Sequence, residues 1–560
     1  MTNGIPTGAK NTEESDIIKK LAKTMTIVTV LSCLERGLGF LYRIFLSRNI
    51  GSEGLGLYQI ALSVVGVMMT VSASGIPITV SRMMIKDRAA KRDDMVNSTV
   101  TAGIVCALGI CLPICIFCFI FKDVLTLIFP DERCRLLFLI IMPGVVLTSV
   151  YAVIRGFFWG TKSFSAYSVI ELSEEFVMVA VGIFFVSRAQ SVTEKTIWAS
   201  IAVLVSYIFS FTLSSIVFAV KGGRLKNPSA RLKPLIASGA PITFMRGATS
   251  LTSSLIAVIL PSALIASGLS RQEAVSSFGI ISGMTLPLLF IPSTIIGSVS
   301  LVLVPELSND FYRKNDAGLR ANVEKALMIC ATVAMLIIPV FIGAGPYIGE
   351  LVYNNRTAGV YLRAAAIAML PMSLAMISTS LLNSMGMEKK TLLYYLIGAG
   401  LLLVCVAVLP RFIGNYGLIA GYLLNFTVNG LFNVRLLKKI CCDKLSYIKK
   451  QLIALPIVGF CSLLCYFLFE IIAKTISPFF ALLICVILIP VCLLTLFEIF
   501  NIIRVKELIG GFLPQSKIKT RLKKAKRVKR FKDKKIRDSV RGNNSRNRGI
   551  IRNKSAVRDT

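Results

Sequence analysis

Apolar runs about 20 residues long recur along the whole chain, and short polar segments separate them. Each run is long enough to cross the roughly 30 Å hydrocarbon core of a bilayer as an α-helix. The short alternating segments that are typical of a membrane β-barrel do not occur in the sequence. The pattern therefore predicts an all-α polytopic membrane protein with about fourteen spanning helices. The predicted spans are residues 24–47, 55–80, 97–121, 136–159, 164–187, 196–220, 235–266, 275–304, 322–349, 358–385, 391–410, 416–437, 450–473 and 477–503.

Lysine and arginine are unevenly distributed between the two sets of connecting segments. If the amino terminus is cytoplasmic, the inner segments hold 49 of these residues and the outer segments hold 11. Without the C-terminal tail, the counts are 28 and 11. Because cytoplasmic loops carry the excess of positive charge, we expect both termini to lie in the cytoplasm.

Two sequence landmarks recur at nearly the same spacing. Pro77 and Pro305 end spans two and eight, and the interval between them is nearly equal to the interval from Gly160 to Gly386. This spacing favours two related halves that form a parallel repeat, although chance similarity between apolar stretches competes with that interpretation. We predict a cytoplasmic segment (1–23), an N-lobe (24–220), a C-lobe (235–437), two further spans (450–503) and a basic disordered tail (504–560).

The tail accounts for much of the net charge of +34, since it holds 21 lysines and arginines. Its polar, charged composition predicts disorder. Lysine-rich and arginine-rich segments next to a membrane bind anionic lipid, and this is the partner we expect for the tail. We do not expect nucleic acid, because the tail lacks the aromatic residues of a stacking platform. We expect the protein to be a monomer.

The composition excludes most enzyme classes. The 560 residues include no histidine, which removes histidine metal ligands and the histidine of Ser–His or Cys–His pairs. The sequence has no Walker A loop for ATP. Cys111, Cys115 and Cys118 form a helical stripe without polar neighbours, which favours packing over a metal site. We therefore predict no enzymatic activity and no cofactor.

The first span carries charges inside an apolar run. Glu35, Arg36 and Arg43 lie within residues 24–47. An arginine at the bilayer centre costs roughly 2.5–3.5 kcal/mol on the translocon scale. Arg36 and Arg43 are two helical turns apart and share one face of the helix. We expect this face to contact other protein groups or a water-filled cavity.

Span five and span seven supply further charges. Glu171 lies on one face of span five with Glu174 or Glu175, and of these two we select Glu174 as the candidate. These glutamates either pair with Arg36 across a cavity or are solvated at its mouth. Arg246, at the start of span seven, either faces the same central space or lies at the membrane interface. The candidate site thus contains Arg36, Arg43 and Arg246 for substrate binding, and Glu35, Glu171 and Glu174 for gating or coupling.

Three segments resemble a known family of exporters. The segments ERGLGFLYRIFLSRNIGSEGLGLYQIA, SGIPITVSRMMIKD and RGFFWGTKSFSAYSVIELSEEFVMV resemble the stage V sporulation protein B group of polysaccharide exporters. That group is similar to the MurJ-type lipid II flippases, in the superfamily that includes the MATE drug exporters. The resemblance extends over spans one to twelve and is closest in spans one to five.

The resemblance implies fourteen helices in two lobes around a central cavity, with alternating access that moves an undecaprenyl-pyrophosphate-linked sugar. It implies a role in cell-wall or spore-cortex synthesis, with lipid II as substrate. It also implies that Arg36 and Arg43 hold the pyrophosphate, whereas the acidic residue that follows in MurJ-type proteins has no counterpart here. The alternatives are a cation-coupled drug exporter of the MATE type and a non-transporting scaffold of envelope assembly.

Overall fold

A computed structural model describes residues 7–441 and 447–502, and these residues form helices and no β-strand. The basic tail predicted for residues 504–560 lies outside the described residues. The helices of the N-terminal half are α1 (Thr7–Ala73), α2 (Ile76–Ala89), α3 (Asp93–Ile120), α4 (Glu132–Gly160), α5 (Phe164–Val186) and α6 (Val192–Val220). Those that follow are α7 (Ser229–Ala266), α8 (Arg271–Phe278), α9 (Leu286–Tyr312), α10 (Asp316–Tyr353), α11 (Arg356–Ala365), α12 (Met369–Ser384), α13 (Glu388–Val408), α14 (Pro410–Ile413), α15 (Tyr416–Ile440), α16 (Tyr447–Thr475) and α17 (Pro478–Ile499).

The helices account for the predicted membrane crossings. Twelve helical stretches of the described residues are long and apolar enough to span a bilayer. The first of them, Thr26–Ala89, has 64 residues and reverses direction at Gly51, so it crosses twice. The 23-residue helix α5 is a further crossing, although it carries three glutamates. The described residues therefore form fourteen membrane crossings, and the predicted all-α polytopic fold is confirmed.

The first two spans form a hairpin without a loop. The reversal lies within the connection that we predicted for residues 48–54, but it is not a loop, because helical backbone continues to Gly51 on both sides. Gly51 has φ 69° and ψ −171°, a conformation that residues with a Cβ rarely adopt. Tyr42, before the turn, and Tyr58, after it, line the same cavity. One glycine therefore reverses the chain and places the two spans side by side.

The spanning helices pack as two lobes with an added C-terminal pair. In the N-lobe, α4 packs on α6, α5 packs on α6, and α1 contacts both α4 and α5. In the C-lobe, α13 and α12 pack on α15, and α10 contacts α9 and α12. Helices α16 and α17 pack on each other and on α10. The two lobes and the extra pair agree with the predicted architecture, whereas the residue boundaries of the lobes stay a prediction.

Turns at corresponding positions of the two lobes each contain a residue with positive φ. Lys91 after α2 and Lys314 after α9 both have φ 56°. Lys162 after α4 and Gly386 after α12 also have positive φ, 58° and 79°. The interval from Lys91 to Lys314 is nearly equal to that from Lys162 to Gly386, and both are close to the intervals between the sequence landmarks. The backbone of these turns therefore supports the repeat that we inferred.

Two segments of the C-terminal half depart from α-helical geometry. A seven-residue π-helical segment, Gly279–Thr285, joins α8 to α9. A short 3₁₀ segment, Ala366–Ala368, joins α11 to α12. Helix α4 continues to Gly160 and includes Arg155. The cysteine stripe of α3 is buried in the apolar core, in agreement with a packing role.

Candidate functional site

A cavity of about 430 Å³ lies at the centre of the molecule. Helix α1 contributes to its wall on both sides of Gly51, and α5, α6 and the first turn of α9 complete it. Most of the wall is apolar, and the charged side chains in it are Arg36, Arg43 and Glu175. The hairpin at Gly51 therefore creates a polar surface inside an otherwise apolar bundle.

The structure brings Arg36 and Arg43 into this one wall, as their spacing along α1 predicts. The Arg36 side chain is exposed and the Arg43 side chain is half-buried. Neither guanidinium group forms an ion pair or a hydrogen bond with any residue that the structure describes. Both groups are therefore free to bind an anion that enters the cavity.

The carboxylate that faces the arginines is Glu175, not Glu174. Oε1 of Glu175 lies 2.7 Å from the position that a Cβ of Gly39 would occupy. The glycine thus leaves room for the carboxylate between the turns of α1 that carry Arg36 and Arg43. Helix α5 therefore supplies a carboxylate to the part of the cavity wall where α1 supplies the two arginines. The sequence contained this alternative in the i, i+4 spacing of Glu171 and Glu175.

Glu171 pairs with Arg155 of α4 rather than with Arg36. Nη1 of Arg155 donates a hydrogen bond to Oε1 of Glu171 at 3.2 Å. The Arg155 guanidinium lies 5.5 Å from the ring centre of Trp159 and 5.9 Å from that of Tyr167. Sequence reasoning missed Arg155, although it opens the RGFFWG segment next to the aromatic residues that it stacks on.

The other candidates lie outside the cavity wall. Glu35 is half-buried on α1, on the side near Glu171 and Arg155. Glu174 points toward α6, near Ser210. Arg246 is exposed on α7 and does not line the cavity. Their predicted roles in gating, coupling and substrate binding stay predictions.

The cavity is sealed at the end of the molecule that carries Gly51, which we call the Gly51 face. Arg48 of α1 donates hydrogen bonds to the carbonyl oxygens of Leu351 and Val352 at the end of α10. The hydroxyl groups of Ser52 and Ser276 are 2.6 Å apart. Each of these contacts joins the N-lobe to the C-lobe.

Glu53 extends this seal. Its Oε1 accepts a hydrogen bond from Arg133 at 2.7 Å, and its Oε2 accepts one from Gln272 of the C-lobe at 2.8 Å. Arg133 also donates to Asp131. Burial opposes ionisation of Asp131, but these hydrogen bonds from Arg133 outweigh it and lower the pKa of the carboxyl group. Glu53 and Asp131 of the seal are therefore both neutralised by Arg133.

Comparison with known proteins places the chain in a family. Residues 21–310, which run from the start of the first crossing almost to the end of α9, match the family described as polysaccharide biosynthesis protein. The chain belongs to this family. The matched region contains the Gly51 hairpin and every side chain that lines the cavity.

Two curated relatives come from Bacillus subtilis (strain 168). The chain is 22% identical to stage V sporulation protein B over 360 residues, which cover 61% of this chain and 69% of the relative. It is 20% identical to sporulation protein YkvU over 309 residues, which cover 52% of this chain and 66% of that protein. The chain thus spans about two thirds of the length of each of these relatives.

Solved structures show the same fold. A structure of the lipid II flippase MurJ in an inward closed conformation has a TM-score of 0.65 and 16% identity, and the match covers 85% of this chain and all of that one. An inward-facing multidrug resistance MATE family transporter of the MOP superfamily has a TM-score of 0.60 and 14% identity, over 72% of this chain and 95% of that one. The protein therefore has the fold of these polytopic membrane transporters.

Proposed function

We propose that this protein is a flippase that carries an undecaprenyl-pyrophosphate-linked saccharide across the bacterial plasma membrane by alternating access. The substrate is lipid II, the peptidoglycan precursor, used in cell-wall or spore-cortex synthesis. Both termini are cytoplasmic, so the Gly51 face is the outer face. One observation carries the proposal, namely that two unpaired arginines, Arg36 and Arg43, line a cavity that is sealed at the Gly51 face.

The chemistry of the cavity fits a pyrophosphate. Guanidinium groups donate paired hydrogen bonds to phosphate oxygens. The surrounding apolar helices lower the local dielectric constant, which strengthens this attraction relative to water. The prenyl chain can remain in the bilayer, so only the head group needs a polar route. The likeness in fold to a lipid II flippase supports this substrate class.

The seal at the Gly51 face supports alternating access. The contacts of Arg48, Ser52 and Glu53 join the two lobes at the Gly51 face, and the pair of Asp87 and Arg231 joins them at the opposite end. A transporter that releases its substrate at the outer face must open the contacts at the Gly51 face while the lobes approach each other elsewhere.

Transport in proteoliposomes tests the proposal. The purified chain is reconstituted with fluorescent lipid II, and the fraction that reaches the opposite leaflet is measured over time. Arg36→Ala and Arg43→Ala should each lower the rate by about tenfold or more, because each removes a charge-assisted hydrogen-bond donor. Arg188→Ala is the matched control, since Arg188 is exposed and stacks only on Phe184 of its own helix.

Three outcomes would contradict the proposal. If no polyprenyl pyrophosphate binds to the chain, the flippase function is wrong. Translocation of organic cations in place of lipid II would favour an exporter of the MATE type, in which Glu175 would be the coupling group. If the wild-type chain translocates nothing but complements an envelope defect in cells, a scaffold role replaces transport.

A further inference from the structure

A basic recess lies where α2 of the N-lobe meets α7 of the C-lobe, at the end of the molecule opposite the Gly51 face. We call this end the Asp87 face. The recess has a volume of about 380 Å³, and Arg82, Lys86, Arg92 and Arg231 line it together with the carboxylate of Asp87. Four cations against one anion leave the recess with a net charge of +3. Its size lies within the range of small-molecule sites.

One ion pair fixes the floor of the recess. Nη2 of Arg231 donates a hydrogen bond to Oδ1 of Asp87 at 2.7 Å, and Asp87 is only 4% exposed. Nε of Arg231 and Oδ2 of Asp87 have no hydrogen-bond partner among the described residues.

The other three cations are exposed and unneutralised. Arg82 and Lys86 on α2 and Arg92 at the start of α3 are exposed. Within residues 7–441 and 447–502, no described carboxylate forms an ion pair with any of them. Cationic side chains at a membrane surface attract anionic lipid head groups. The recess is thus suited to an anionic group.

An apolar groove of about 740 Å³ begins beside the recess. Helices α1 and α3 of the N-lobe and α7 and α13 of the C-lobe form its walls. Pro234 and Ser238 of α7 line the recess, and Leu235, Ile236 and Gly239 of the same turns line the groove. A molecule with a charged head and an apolar chain could therefore occupy both at once.

The groove opens sideways and is separate from the central cavity. Ile236 and Phe244 in its wall are 55% and 73% exposed, as expected for side chains that face lipid. No residue lines both the groove and the central cavity. Close by, a Cβ on Gly75 would lie 2.5 Å from the carbonyl oxygen of Gly239, so α2 and α7 are in close contact at the lobe seam.

We propose that the recess and the groove together bind one anionic phospholipid of the surrounding bilayer. Its phosphate lies among Arg82, Lys86 and Arg92, and an acyl chain fills the groove between the lobes. Charge complementarity at one end and apolar walls at the other favour this occupant. A free phosphate would leave the groove empty, and the groove shares no wall with the cavity assigned to the transported substrate. The bound lipid contacts both lobes and stabilises their approach at the Asp87 face.

Lipid-dependent thermal unfolding of the full chain tests this site. Phosphatidylglycerol added to micelles should raise the midpoint of unfolding by about 3 °C or more, whereas phosphatidylcholine should not. Combined Arg82→Gln, Lys86→Gln and Arg92→Gln should weaken the apparent affinity for phosphatidylglycerol by about tenfold or more. The matched control removes three exposed lysines elsewhere, Lys314→Gln, Lys389→Gln and Lys390→Gln, and should retain the native response.

A second variant tests the groove. Ala240→Trp places a large apolar side chain in the groove and should abolish the response to phosphatidylglycerol while the chain stays folded in its absence. An equal response to soluble glycerol phosphate or inorganic phosphate would overturn the proposal in favour of a simple anion site. Displacement of the phospholipid by a lower concentration of polyprenyl pyrophosphate would assign the groove to the substrate instead. A native response in both variants would also overturn it.

Discussion

At the scale of single residues, the central cavity combines two guanidinium groups with one carboxylate. Glu175 shares the wall with Arg36 and Arg43 and is close enough to interact electrostatically with Arg43. A bound anion must compete with this carboxylate for the arginines. We infer that Glu175 limits the affinity for the head group and assists its release.

Replacement of Glu175 by glutamine tests this role. Glu175→Gln should tighten the binding of lipid II by about threefold to tenfold, because it removes a negative charge beside the arginines. The same change should slow translocation, which needs release. Glu174→Gln removes an equal charge one residue away, outside the cavity wall, and should leave the affinity unchanged. If Glu175→Gln and Glu174→Gln change the measured Kd equally, the position of Glu175 in the cavity wall does not set the affinity.

The pair of Arg155 and Glu171 supports the fold beside the cavity. Their side chains are 27% and 17% exposed, so loss of one partner leaves a largely buried charge. Arg155→Ala should lower the free energy of unfolding by about 2 kcal/mol, measured as a lower midpoint in thermal unfolding. Adding Glu171→Gln to this variant should recover part of the loss. If the two variants are equally stable, the charge of Glu171 is not what destabilises the first one.

At the scale of elements, the apolar periodicity of the sequence predicted the crossings because a span must be apolar over its whole length. It placed the first reversal within residues 48–54 but could not predict that helical backbone continues up to Gly51 on both sides. It also could not choose between Glu174 and Glu175, because both fit one helical face and the choice depends on how α5 packs on Gly39. Arg155 was missed because its partner lies on another helix.

Close approach of helices at the Gly51 face yields a prediction for Gly56. A Cβ at Gly56 would overlap the carbonyl oxygen of Val275 in α8, a backbone atom that cannot rotate away. Gly56→Ala should therefore disfavour the sealed state by about 1–3 kcal/mol. The readout is labelling of Ser276→Cys by a membrane-impermeant maleimide, which should become at least about fivefold faster.

The control for Gly56→Ala is Gly247→Ala. A Cβ at Gly247 on α7 would have no neighbour within 4 Å, so this variant changes helix propensity without affecting the lobe contact. Both variants should have similar thermal stability in detergent. Equal labelling rates in the two variants would mean that the contact between Gly56 and Val275 does not hold the face closed.

At the scale of the whole molecule, polar contacts join the two lobes at both ends. The Gly51 face is joined by polar contacts of Arg48, Ser52 and Glu53. On the opposite side, the pair of Asp87 and Arg231 joins α2 to α7. The polar contacts at the Gly51 face are exposed or half-buried and contribute little energy each, so they can open without unfolding the lobes. Such contacts are compatible with a protein that opens alternately at its two faces.

A disulfide across the Gly51 face tests whether the lobes must separate there. In a cysteine-free variant that still transports lipid II, Ser52→Cys with Ser276→Cys should form a disulfide, because the two hydroxyl oxygens are 2.6 Å apart. Oxidation should then reduce transport to background, and a reductant should restore it. The control pair, Ser72→Cys with Ser149→Cys, has oxygens 2.9 Å apart within the N-lobe. Its disulfide should form equally well and leave transport intact, because helices of one lobe move together. Transport through a fully oxidised pair at the Gly51 face would exclude an opening at that face.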